Sequence, residues 1–187
     1  KTTTILMILR IIHPDSGEIE VLGNTAASAA NDELGYLPEE RGLYKKLTVR
    51  RMLAYYASLK GMNRQDASDA IDHWLHRFEL SSWASNKIES LSKGMSQKVQ
   101  FIASVVSRPK LLILDEPFSG LDPVNTEVIR SPILDLQREG TTIIFSTHDM
   151  STAEKMCDFI FMIYKGHKVL DGTLEQIKAQ YGADSIR

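Results

Sequence analysis

Two neighbouring acids close an apolar run at Leu111-Leu112-Ile113-Leu114-Asp115-Glu116-Pro117. Paired carboxylates suit metal and water chemistry, one holding a divalent cation through oxygen and the other taking a proton from water. Four apolar residues in succession read as a strand buried on both faces rather than on one. In open parallel sheets the ligand lies beyond the carboxyl ends of the strands, which is where such a pair would stand. A strand that merely ends in a polar turn has the same pattern, so the choice rests on what else the chain contains.

The chain opens with Lys1-Thr2-Thr3-Thr4, which runs directly into Ile5-Leu6-Met7-Ile8-Leu9. A phosphate-binding loop reads G-x-x-x-x-G-K-[ST] and leads into a helix; its lysine pairs with the β- and γ-phosphates and its hydroxyl reaches magnesium. Lys1 and Thr2 fit the end of that pattern without its glycines, and a charged helix start is the plain alternative. The absence of an initiator methionine points to a piece of a longer chain cut at the loop lysine. Such a piece lacks most of the amides that cradle phosphates, so by itself it is expected to bind ATP negligibly and to be inactive.

Leu91-Ser92-Lys93-Gly94-Met95-Ser96-Gln97 begins a helix expected to run to about Val106. Ser92 is a good N-cap, and a helix start offers free amides and partial positive charge to an anion. Downstream, Thr141-Thr142-Ile143-Ile144-Phe145-Ser146-Thr147-His148-Asp149 reads as a second buried strand ending in a histidine, for which a structural role stays open.

Taken in order, these residues resemble the ATP-binding subunits of ABC transporters, over essentially the whole chain. Lys1-Thr2 match the end of the Walker A loop, Leu91 to Met95 the signature motif and Leu111 to Glu116 Walker B. Ser119-Gly120-Leu121-Asp122 match the D-loop and His148 the switch histidine. Residues 36–44 and 118–125 look most like bacterial exporters of sodium, antibiotics or drugs.

The resemblance implies an α/β fold of the P-loop NTPase type, a mostly parallel sheet flanked by helices with an inserted helical subdomain. Residues 1–47 and 107–187 would form a RecA-like core, and 48–106 the helical subdomain that carries the signature motif. ATP and Mg2+ are the implied ligands. Lys1, Thr2, Thr3, Ser92, Gly94 and Asp122 would bind nucleotide, Thr2 and Asp115 the metal; Glu116 would polarise water as general base and His148 would donate to the γ-phosphate. Ser92 and Gly94 would serve the nucleotide of a second ATP-binding subunit, the same or different, in a head-to-tail dimer with Asp122 near the seam. A multi-span membrane permease is the other implied partner, which puts the chain on the cytoplasmic face of the bacterial cell membrane, powering export by nucleotide-driven dimerisation. Residues 39–56 would receive a permease helix, presenting Leu43, Tyr44, Leu47, Met52 and Tyr55 beside Arg41, Lys45 and Lys46; ordinary helix packing is the alternative for the apolar ones.

This chain departs from the family pattern in places. Glu39 stands where the Q-loop usually has glutamine, keeping an oxygen for the metal but adding a charge. Lys93 and Met95 replace the third and fifth residues of L-S-G-G-Q, while Ser92 and Gly94 are kept. Pro132 falls well inside the helix expected after Pro123, where it should kink or break it.

Composition fits one globular domain: 187 residues, 43% hydrophobic, with a formal net charge of -2. Without a Lys/Arg block, extensive contact with a phosphate backbone is disfavoured and no nucleic-acid partner is expected. Cys157 is the single cysteine and reads as a small apolar packing residue. No apolar run approaches the ~20 residues of a membrane helix.

The spacing predicts a helix over 2–12, a short strand over 18–22 and another over 34–37. Thr48 caps a helix ending before Gly61, and Asn63 caps one reaching Leu80. Residues 159–164 and 168–170 form a hairpin across Lys165-Gly166, followed by a helix over 173–181. Trp74, Trp83 and the Tyr55-Tyr56 pair read as packing residues, and His73 and His76 as surface. The rival functional reading is a non-transport ABC ATPase, ribosome-associated or regulatory; a DNA-repair clamp would need a long coiled-coil insertion that the stretch from Lys1 to Asp115 lacks.

Overall fold

The computed structural model describes residues 1–25, 31–39 and 42–182. It divides into two compact units, Thr2–Phe145 and, separately, Lys1 with the chain from Ser146 on. The first unit contains α1 (Thr2–Ile8), β1 (Leu34–Leu37), α2 (Val49–Leu59), α3 (Arg64–Arg77), α4 (Lys93–Val105), β2 (Leu111–Asp115) and α5 (Pro123–Arg138). It ends within β3 (Thr142–Ser146). β1 and β2 run parallel, with Leu34 opposite Leu111 and Leu37 opposite Leu114, and β3 lies on the other side of β2. Every residue of β2 is buried, as its continuous apolar run requires.

Side-chain parity sorts the two faces of this sheet. Leu34 and Tyr36 share a face with Leu111 and Ile113, where they pack with Ile5 and Ile8 of α1 and with Val21. Gly35 and Leu112 face the other way, toward α4. A Cβ added to Gly35 would stand 2.3 Å from the Ser104 carbonyl oxygen and 2.8 Å from Leu112 Cδ1, so the end of α4 rests directly on the β1 backbone. Gly35→Ala is therefore expected to cost about 1–3 kcal/mol of stability or more, because backbone rather than a flexible side chain must give way. Urea unfolding would check it, and an unchanged midpoint would show that α4 can move aside.

Helices α2 to α4 enclose a core of their own. Thr48 and Asn63 cap α2 and α3, accepting from the amides of Arg51 (3.3 Å) and Asp66 (2.9 Å) as their sequence positions predict. Met52, Leu53, Ile71, Leu75, Val99 and Ile102 are fully enclosed. Ring centroids of Trp74, Phe78 and Phe101 lie 5.7–6.1 Å apart, which makes Trp74 a packing residue.

The second unit contains α6 (Met150–Met156), β4 (Ile160–Tyr164), β5 (His167–Gly172) and α7 (Leu174–Tyr181). β4 and β5 form the expected hairpin, with Tyr164 opposite His167. Its two loop residues, Lys165 and Gly166, have φ of 47° and 81°, the pair of positive angles that a two-residue turn needs to match strand twist. Thr173 and Gln176 cap α7 reciprocally.

Five expectations need correction. α1 ends at Ile8 rather than residue 12, because Arg10 turns left-handed (φ 57°) and its guanidinium donates to the carbonyls of Ile19 and Asn24. The strand expected over 18–22 reduces to one bridge, Val21 to Asn24. α3 stops at Arg77, capped by Phe78, short of Leu80. β3 is not buried: Thr142 and Ile144 are exposed, since among the described residues it is the edge of its sheet, and it ends at Ser146 before reaching His148. Finally, α5 runs unbroken through Pro132, which is buried beside Ile129, Ile133 and Leu136; packing on that face holds the turn despite the missing N–H.

Candidate nucleotide site

β2 delivers its two acids at the carboxyl end of the strand. Asp115 and Glu116 are only 2% and 7% exposed, an unusual burial for adjacent carboxylates. Asp115 has the parity of Ile113, so it belongs to the sheet face covered by α1, the helix that Thr2 and Thr3 open. Glu116 turns the chain with a φ of 49°, a left-handed conformation that costs a non-glycine residue about 1–3 kcal/mol and is held only where the surroundings impose it. The Ser119 amide donates to the Glu116 carbonyl at 3.1 Å and closes the turn.

Glu39 reaches the same end of the sheet by register. Pro38 and Glu39 follow Leu37 on β1 as Asp115 and Glu116 follow Leu114 on β2. Burial pushes the Tyr36 phenol above its ordinary pKa, and the carboxylates of Asp115 and Glu39 push it further. Both acids therefore act on one ring.

The helix start of α4 lies elsewhere in this unit. Ser92 Oγ accepts from the Met95 amide at 3.2 Å, a cap that uses an oxygen lone pair and leaves the hydroxyl proton to donate. Gly94 has no positive φ, and a Cβ there would meet only Asn125 Oδ1, at 3.9 Å. Lys93 Nζ lies 3.7 Å from where a Gly120 Cβ would be, so the signature and D-loop segments are neighbours within one chain. Asp122 caps α5, accepting from the amides of Val124 and Asn125 (3.0 Å each) and from Asn125 Nδ2 (2.6 Å). These bonds, those of Asn125 foremost, hold its carboxyl below the usual range. Sequence reasoning missed Asn125, which bonds Asp122 and stands near Gly94; only its place three residues after an N-cap aspartate could have signalled it.

In the second unit, His148 is exposed between two hydrogen-bonded neighbours. The Asp149 amide donates to Thr147 Oγ1 (3.0 Å), and Asp149 caps α6 by accepting from the Ser151 amide (3.0 Å) and Thr152 Oγ1 (2.6 Å). Lys1 is exposed in this unit.

Of the expected docking surface, Tyr44 and Tyr55 are 55% and 42% exposed, and their rings meet edge to face at 5.9 Å. Lys45 and Lys46 are exposed, and Leu43 and Leu47 partly buried. Met52 does not belong there: it lies on the buried face of α2 with Val49 and Leu53. Arg41 falls outside the described residues. The segment behind Tyr44 is tied to the chain just ahead of Ser92. Ile88 donates to the Leu47 carbonyl (3.0 Å), Glu89 to that of Lys45 (3.1 Å) and Val49 to that of Asn86 (3.0 Å). His73 and His76 are exposed, and burial raises the pKa of the Cys157 thiol.

A parallel α/β sheet with carboxylates gathered at its strand ends, and a threonine-led helix on one face, has the architecture of P-loop nucleotide triphosphatases. The ABC transporter family profile matches residues 1–119. An uncharacterized ABC transporter ATP-binding protein of Alkalihalophilus pseudofirmus is 47% identical over 97% of this chain and 68% of its own length. Nod factor export ATP-binding protein I of Burkholderia lata is 33% identical over 100% of this chain and 62% of its own. The solved structure of the ATP-binding subunit of an ABC transporter superposes with a TM-score of 0.89 at 32% identity, covering 97% of this chain and 77% of that one. The chain belongs to the ABC transporter family, on its ATP-binding side, whose members are ATPases coupled to transport. It spans about two thirds of the length of these curated relatives. Among the described residues, no helix is long and apolar enough to cross a membrane.

Proposed function

We propose that this chain hydrolyses Mg·ATP at a site shared between two ATP-binding subunits and thereby powers export through a membrane permease. The observation that carries the reading is the buried Asp115-Glu116 pair, with Glu116 held left-handed at the end of β2. Phosphoryl transfer to water asks little covalent work of a protein; positioning and charge neutralisation do most of it. Lys1 would neutralise the β- and γ-phosphates. Thr2 and Asp115 would hold magnesium, with Glu39 close by, and their hydroxyl and carboxylate oxygens are the hard donors this dication takes. Glu116 would take the proton of the attacking water, and His148 would donate to the γ-phosphate.

The signature residues would complete the site of the other subunit. Among the described residues nothing requires glycine at position 94, where a Cβ would meet only ordinary contact; close approach of a second molecule's phosphate would supply a reason. Ser92 keeps a hydroxyl proton for the same phosphate. Residues 48–106, with their own aromatic core, would act as the helical subdomain that carries this helix start. Export as the direction of transport rests on residues 36–44 and 118–125 and on the relative named for Nod factor export.

The permease would dock over Tyr44 and Tyr55, on the cytoplasmic face of the membrane. Replacing Leu43 and Tyr44 with Asp in the full-length protein is expected to release it from membranes, and from its membrane partner in pull-downs, while leaving ATP binding intact. Met52 is left unchanged because it is core. Retention of both associations by the double variant would defeat the docking assignment; a wild-type protein that never associates with membranes would favour a non-transport ATPase.

A further inference from the structure

We propose that Arg77 is a positioning residue for the shared site: by bonding Asp135 it ties the end of α3, and through it the signature helix α4, to α5, so that Ser92 and Asp122 meet a second subunit as one surface. The proposal rests on the reading of that site given above. Arg77 Nη2 donates to Asp135 Oδ2 across 58 residues of chain. The two side chains are 28% and 33% exposed, so the pair is better shielded than a surface ion pair, whose worth is slight. Asp135 is steadied in turn, because its other oxygen accepts from Arg138 at 2.8 Å. The Arg77 guanidinium also covers the Trp74 ring, 5.4 Å from its centroid, which holds the cation from a second side.

The end of α3 is joined to α4 as well. Trp74 and Phe78 set their rings against Phe101 of α4, and Lys98 of the same helix donates to the Phe78 carbonyl at 3.5 Å. Arg77 therefore stands where three helices meet. At their starts, by contrast, α4 and α5 approach with room to spare, since a Cβ on Gly94 would still be 3.9 Å from Asn125 Oδ1. Asp135 lies roughly 15 Å along α5 from Asn125 at ~1.5 Å per residue, so the ion pair fixes the relation of the two helices at the far end from Ser92 and Asp122. A small swing there displaces the helix start that a second subunit's phosphate would meet. Misplacing a positioning group by about 1 Å can cost ~10²-fold in rate, which gives a pair remote from the nucleotide a hold on catalysis.

The test measures ATP hydrolysis by the full-length protein over a range of ATP concentrations, at a temperature where every variant is folded. Arg77→Met keeps an apolar stem over Trp74, and Asp135→Ala removes the same bond from the other helix, so a folding defect in one does not decide the matter. Each is expected to lower kcat roughly tenfold. KM for ATP should stay within about twofold, because Lys1, Thr2 and Asp115 are untouched. The double variant should be no worse than either single one, since all three lack one and the same contact. Arg138→Met also takes a partner from Asp135 but leaves α3 tied to α5, and should keep wild-type kcat. A pair that served stability alone would lower the melting temperature and leave kcat unchanged, which would overturn the proposal; so would losses that multiply in the double variant, or an equal loss in Arg138→Met. Hydrolysis indifferent to Ser92→Arg would remove the shared site and the proposal with it, whereas sensitivity to Ser92→Arg beside a wild-type kcat in Arg77→Met would remove the role of Arg77 alone.

Discussion

Glu116→Gln in the full-length protein is expected to slow ATP hydrolysis about 10²–10⁴-fold, the usual contribution of a positioned general base. The amide fills the same volume and keeps the same polar end, so it should tolerate the buried, left-handed position as the native residue does. What it loses is basicity. In the proposed site nucleotide affinity would rest on Lys1, Thr2 and a metal held by Asp115, and should be little changed. With binding intact and chemistry blocked, ATP-bound dimers should accumulate and be visible by size-exclusion chromatography. Turnover near wild type would remove Glu116 from the role of base and leave its strained backbone unexplained.

Legibility from sequence followed how local the determinants were. Leu111 to Leu114 read as a buried strand because both faces of β2 are covered and every residue had to be apolar. Thr48, Asn63 and Ser92 read as helix caps because capping is settled within three residues of chain. β3 looked the same as β2 by composition, yet its burial depends on what lies beside it, and apolar content alone does not report an edge. α1 shows the converse, since its apolar spacing runs on to Ile12 while Arg10 leaves the helix to reach the carbonyls of Ile19 and Asn24. Met52 lies in the core rather than on the surface expected over Leu43 to Tyr55, because α2 must turn one face to its own core. At the site, the order of motifs is what assigns Asp115, Glu116 and His148 the roles proposed for them. The approach of Lys93 to Gly120 and of Asn125 to Gly94 joins segments about thirty residues apart, which no local pattern encodes.

Ser92→Arg is expected to abolish hydrolysis in full-length protein while leaving each subunit's own phosphate and metal residues untouched. Two effects have to be separated. Arginine cannot accept from the Met95 amide, so α4 loses a cap worth about 1 kcal/mol, a loss that Ser92→Ala shares. Arginine also puts a long side chain where a second subunit's γ-phosphate would approach, which alanine does not. Ser92→Ala should therefore show the same small drop in melting temperature yet retain more activity than Ser92→Arg. Mixing provides the stronger discrimination. Where the protein is its own partner, a dimer of one Ser92→Arg and one Lys1→Ala subunit places both defects in one composite site and leaves the other intact. Combining the two inactive variants should then restore about a quarter of wild-type turnover if subunits pair at random in closed two-fold dimers. An activity that each subunit performed alone would be indifferent to Ser92→Arg and would gain nothing from the mixture.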